Sequence, residues 1–169
     1  MTDDTAKVGK ILHEVDLLFE PSEALHGLLS GHQGTLLERS PGGRVSEDLV
    51  TFVGDVLVAG SGSREVDAVL NAHPRLGATT IESAQSVHEQ RNLTASSAAE
   101  RDRLKVLNEA YEARFPGLRY VVFVNGRSRA VVMDDMARRI ERGSVALERR
   151  EAIAAMVDIA LDRLRHRSA

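Results

Sequence analysis

Four polar side chains near the middle of this 169-residue sequence carry groups that bind or exchange protons, though their types and spacing alone go no further than a soluble helical domain. Ser86, Glu89 and Gln90 stand at i, i+3 and i+4. On a helix from about Ile81 to Arg91 all three project from one face, offering a hydroxyl, a carboxylate and an amide side by side. Upstream, His73 precedes Pro74, and proline disfavours helical backbone in the residue before it, so His73 belongs at the edge of an element. An imidazole whose ordinary pKa is about 6.5 can give and take protons near neutral pH. Taken singly, these residues have ordinary readings: His73 as a helix end, Glu89 as a solvated helix residue, Ser86 as an incidental polar position. His88 points about 100° round the helix from Glu89 and reads as surface.

Other chemistries find little support. The 6 histidines, at positions 13, 26, 32, 73, 88 and 166, include no pair at zincin spacing. Cysteine is absent, which excludes disulfides, thiolate catalysis and cysteine-based metal sites. Gly60-Ser61-Gly62 sits between helical segments instead of following a strand, so it is no phosphate loop, and there is no serine elbow.

The elements that must carry these groups are legible from periodicity. Val8, Ile11, Leu12, Val15, Leu18 and Phe19 recur at helical spacing from about Ala6, and Glu20-Pro21-Ser22 breaks the pattern. Ser22 can cap a short helix carrying Leu25, Leu28 and Leu29. His32 to Arg44, with Gly34, Pro41, Gly42 and Gly43, reads as a connection. Ser46 opens a helix through Leu49, Phe52, Val53, Val56 and Leu57 that Gly60 to Ser63 ends, and a short helix through Val66, Val69 and Leu70 leads to His73. Ser97-Ala98-Ala99-Glu100 fits a capping box for a helix through Leu104, Leu107, Tyr111 and Phe115, stopped by Pro116-Gly117. Tyr120 to Val124 is the one β-branched, aromatic run, closed by Asn125-Gly126. With no second such run to pair with, it is expected to stand as an isolated extended segment. Helix resumes at about Ala130, with Val131, Met133 (or Val132), Met136, Ala137 and Ile140 inward; Gly143 stops it and Ser144 caps a last helix through Ile153, Met156, Val157, Ala160, Leu161 and Leu164. The expectation is a single all-α domain over residues 1–169, a bundle of about seven to nine helices.

Composition agrees. The hydrophobic fraction is 43% with only 4% aromatic residues and no Trp, so the core must be built from Leu, Val, Ile and Ala. A formal net charge of -3 gives no reason to expect nucleic acid or an anionic membrane as partner. Met1-Thr2-Asp3-Asp4 has no basic region followed by an apolar run, no stretch approaches a membrane span, and Arg167-Ser168-Ala169 is not a peroxisomal address. A soluble cytoplasmic protein is expected.

Two segments carry the reading further. His73-Pro74-Arg75-Leu76-Gly77 and Ser86-Val87-His88-Glu89-Gln90 resemble the signature of the OHCU decarboxylase family, the 2-oxo-4-hydroxy-4-carboxy-5-ureidoimidazoline decarboxylases. Leu107-Asn108 with Tyr111 and Phe115, Tyr120 to Val124 with Gly126-Arg127, then Arg139, Glu148 and Arg163-Leu164 follow in the family's order. The resemblance spans about 68–164. It departs near the N-terminus, where many members carry Ser-Pro-Trp followed by Arg-Pro-Phe. Here Leu18-Phe19-Glu20-Pro21-Ser22 and the glycine-rich connection near Gly42 stand instead.

The resemblance implies a helical, often dimeric enzyme that needs neither metal nor organic cofactor and decarboxylates OHCU to (S)-allantoin in urate breakdown. It implies His73 and Glu89 as catalytic residues, with Arg163 as the functional arginine and Arg139 as its rival. Pro74, Ser86, Gln90 and the segment Tyr120, Val121, Val122, Phe123 and Val124 match substrate contacts. By itself, Arg163 among Asp162, Arg165 and Arg167 reads as part of an exposed charged face. The expected partner is a small ureide, and the expected assembly a homodimer. The alternatives are a ureide-binding or regulatory homologue without turnover, or a lyase for a related ureide.

Overall fold

The computed structural model describes residues 2–77 and 97–168. Among these residues the regular structure is entirely helical. In chain order come α1 (Thr2–Phe19), α2 (Glu23–Ser30), α3 (Gln33–Arg39), a 3₁₀ turn (Pro41–Gly43), α4 (Glu47–Ala59), α5 (Arg64–Ala72), α6 (Ala98–Arg114), α7 (Arg129–Arg142) and α8 (Val145–Ser168). The expected helix from Ile81 to Arg91, with Ser86, Glu89 and Gln90, lies outside the described residues.

Serines punctuate the fold. Ser22, Ser46, Ser63, Ser97 and Ser128 each sit at a helix start in extended backbone and accept a hydrogen bond from the N–H three residues on. At Ser97 the cap is reciprocal, with Glu100 reaching back to the Ser97 N–H at 3.0 Å. Gly143 ends α7 in the left-handed conformation (φ 64°). Two expectations need correcting. The stretch His32 to Arg44 is not a plain connection, because α3 forms within it and buries Leu36 against α1 and α4. Val131 points outward and is half exposed, whereas Val132 and Met133 are buried. With Ser128 as the cap, the inward stripe runs Val132, Met136, Arg139.

The long last helix, α8, organises the core by packing along α4 and α1 and touching α5. Glycine permits a close approach of α4 to α8: a Cβ on Gly54 would lie 2.7 Å from Val157 Cγ2. The stripe that α8 buries runs Glu148, Ala152, Met156, Ile159 and Ala160, Arg163. It is apolar in its middle and charged at both ends, and each terminal charge meets a partner from another part of the chain. Tyr120 to Val124 forms neither helix nor sheet, as expected. No helix of the described residues is long and apolar enough to cross a membrane.

Candidate active site

His73 is the C-cap of α5, in extended backbone (φ −65°, ψ 136°), the geometry that a following proline requires. The five residues from His73 are held from several directions. Asn108 of α6 donates its amide to Leu76 O at 3.1 Å and to Leu104 O at 3.0 Å. Arg75 makes a two-point contact with Glu112, at 2.8 and 3.2 Å. Gly77 turns with positive φ (73°) where a Cβ would strike Leu104. Arg119 donates to Asn71 O at 3.1 Å and His73 O at 3.5 Å, which ties the end of α5 to the chain entering the 120–124 segment. Pro74 is half-buried beside it.

The imidazole itself is buried, and its Nε2 has no hydrogen-bond partner among the described residues. Burial pushes its pKa down to about 4; the Glu20 carboxylate opposes that and the Arg163 guanidinium adds to it. At neutral pH His73 is therefore an uncharged ring with an unengaged nitrogen. A buried polar atom left unpaired costs roughly 1–3 kcal/mol and calls for a reason, and a ligand is one.

Glu20 and Arg163 are both buried and paired: Arg163 Nη2 donates to Glu20 Oε1 at 2.7 Å and Nη1 to Leu18 O at 3.1 Å. Arg163 is thus no member of an exposed face. Glu20 follows α1 with positive φ (71°), a conformation unusual for a residue with a side chain. The sequence reading passed over Glu20, although a carboxylate just past a helix C-terminus opposes the helix dipole and hints at a cation elsewhere.

The rival arginine lies in a different setting. Arg139 of α7 donates through Nε to both Glu148 oxygens at 3.0 Å, through Nη2 to Glu148 Oε1, and through Nη1 to Val121 O at 3.2 Å. Tyr111 donates its hydroxyl to the same Glu148 Oε1. Burial, reinforced by Glu148, pushes the Tyr111 phenol far above its usual range, so it remains a donor. Arg139 also lies over the Tyr120 ring, 4.7 Å from its centroid, and Tyr120 donates its hydroxyl to Asp135 Oδ2 at 2.5 Å. The two arginines therefore divide the work. The charge of Arg163 acts on His73, while Arg139 grips the extended segment from behind.

Among the site residues expected from sequence, the fold brings His73, Pro74 and Arg163 to one region, with the entry to the 120–124 segment tied to the His73 backbone. Ser86, Glu89 and Gln90 lie outside the described residues. Among those described, no three His, Asp or Glu side chains gather as a metal-ligand set.

No curated protein and no solved structure matches the chain. The family model described as OHCU decarboxylase, by contrast, matches residues 5–165, which takes in both charged ends of the α8 stripe and the His73 turn. That match carries the family's reaction, the decarboxylation of OHCU in purine catabolism. With nearly all of its length accounted for by one family model, the chain belongs to the OHCU decarboxylase family.

Proposed function

We propose that this chain decarboxylates OHCU to (S)-allantoin without metal or organic cofactor, with His73, Glu89 and Arg163 as its catalytic groups. The observation that supports this most is the imidazole of His73, buried and uncharged with an unengaged Nε2, in the field of Arg163. The substrate supplies its own electron sink. When the bond to the carboxylate breaks, carbon dioxide leaves and the electron pair runs through the ring to the imine nitrogen, which takes a proton from solvent. The hydroxyl must then become a carbonyl while the carbon bearing the ureido group gains a proton on one face.

A neutral imidazole suits both halves of that transfer, accepting the hydroxyl proton and handing it to carbon. Glu89 orients the hydroxyl, and Ser86 and Gln90 bind the ureido and ring amides. Arg163 offers charge-assisted donors to the anionic group. Pro74 and the backbone of Tyr120 to Val124 bound the ring. In this reading the enzyme works as a cytoplasmic homodimer on a small ureide.

The test generates OHCU in situ from urate with the two upstream enzymes and follows optically active allantoin by circular dichroism. The wild type should outrun the spontaneous reaction and give one enantiomer. His73→Ala and Glu89→Gln should each lose about 100-fold or more. Racemic product at the spontaneous rate from the wild type would instead support a binding homologue, and full activity in His73→Ala would end the assignment.

A further inference from the structure

Glu20 stands where glycine would be the easier choice. It is the residue just past α1, and its φ of 71° is a left-handed turn that glycine makes freely and a residue with a side chain does not. Among the described residues only one other non-glycine has positive φ, and that is Asn125, a type that tolerates it. The Glu20 carboxylate is also buried, and it lies at the negative end of the helix dipole, where an anion is disfavoured. Three unfavourable effects thus meet at one position. Arg163 offsets them, yet a buried ion pair can often be replaced by apolar side chains without loss of stability. Stability alone does not account for this carboxylate.

Two groups at the end of α1 close on one guanidinium. Arg163 Nη1 donates to Leu18 O at 3.1 Å and Nη2 to Glu20 Oε1 at 2.7 Å. Because different terminal nitrogens are held, the plane of the guanidinium is fixed as well as its place. An arginine has much rotamer freedom to lose when it takes a ligand, and one already held has lost it beforehand. The charges of Glu20 and Arg163 both reach the His73 imidazole, in opposite senses, so the clamp stands in the surroundings of that ring.

We propose that Glu20 is a positioning residue: together with Leu18 O it clamps Arg163 at the end of α1, so that the guanidinium meets the carboxylate of the bound ureide in one fixed orientation. This rests on the role of Arg163 proposed above, and it assigns Glu20 no contact with substrate.

The test compares two stable rings on the full chain by titration calorimetry, hydantoin-5-acetate with a carboxylate and allantoin without one, beside the kinetics with OHCU. Glu20→Gln should weaken hydantoin-5-acetate about tenfold and leave allantoin within about twofold. KM for OHCU should rise about tenfold with kcat within about twofold, the signature of lost binding without lost chemistry. Glu20→Asp keeps the charge on a shorter arm and should recover part of the loss. Glu14→Gln breaks a part-exposed 3.1 Å pair with Arg167 that joins the same two helices, α1 and α8, and should leave every constant unchanged. Should Glu20→Gln not fold, Glu20→Asp alone is expected to weaken the carboxylate-bearing ring selectively. Equal losses for the two rings would mark Glu20 as merely structural, and no loss for either would show that Arg163 holds its orientation unaided; each overturns the inference. A wild type that binds neither ring would overturn it together with the proposed function. A wild type whose grip on hydantoin-5-acetate depends on Glu20, but which forms no (S)-allantoin from OHCU, would overturn the proposed function and leave the clamp standing.

Discussion

Arg163 reaches Glu20 across 143 residues of sequence and closes a 2.7 Å ion pair in which both partners are buried. Such a pair owes its place to mutual compensation, since each charge alone would be costly inside the protein. Arg163→Ala should destabilise the fold by about 3–5 kcal/mol by breaking this buried pair. Glu20→Gln, which retains a hydrogen-bond acceptor, should cost less. In urea unfolding, the double variant Glu20→Gln with Arg163→Met should lie well short of the summed single losses. Additive losses would show that the two residues are not coupled.

His73 makes stability depend on pH in a definite direction. Its ordinary value is 6.5 and its folded value about 4, so between them the unfolded chain binds more protons than the folded one. Falling pH then favours unfolding. The contribution is fully present above about pH 6.5 and is lost progressively as pH falls to about 4 and below, the whole loss being roughly 3 kcal/mol. Urea midpoints measured at pH 7 and pH 4.5 should converge in His73→Gln relative to the wild type. The imidazole signals of His73 should titrate well below the ordinary histidine value of 6.5.

Glu148 collects Tyr111 and Arg139 at the first end of the α8 stripe. Glu148→Ala takes from the buried Arg139 its closest carboxylate and from the Tyr111 phenol its acceptor, and should cost about 3 kcal/mol. Tyr111→Phe removes one donor and keeps the charge pair, so about 1–2 kcal/mol is expected. Thermal melts of the two variants should rank in that order.

Gly54 sets the approach of α4 to α8. Alanine is the better helix former by about 1 kcal/mol, yet its methyl would press on Val157 at 2.7 Å. The contact should win, with Gly54→Ala destabilising the protein and Val157→Ala in the same chain recovering most of the loss. A Gly54→Ala variant more stable than wild type would mean that the helices part easily there.

The helices were legible in the sequence wherever a serine cap preceded a periodic apolar run, as at Ser46 and Ser97, because those signals are local. The isolated segment 120–124 was legible by the absence of a second strand-like run. α3 was not, since Gly34, Pro41, Gly42 and Gly43 suggest a loop and the helix is decided by Leu36 docking into the core. Within the candidate site, His73 stood out through Pro74. Glu20 did not, because its burial is created by contact with a helix at the other end of the chain. Arg163 carried a signal that composition masked: it lies at i+3 and i+4 from Ala160 and Ile159, squarely on the apolar stripe of α8, although its sequence neighbours are charged.

That stripe has a consequence for how the protein is made. Arg163 leaves the ribosome late, after α1, the His73 turn and the 120–124 segment have all emerged. Until then Glu20 has no counter-charge from α8, and its surroundings remain open to water. A product that stops short of Arg163 would keep every other group invoked for catalysis. It would still have to enclose the Glu20 carboxylate beside the imidazole without the guanidinium of α8, so its folded state would be the less stable.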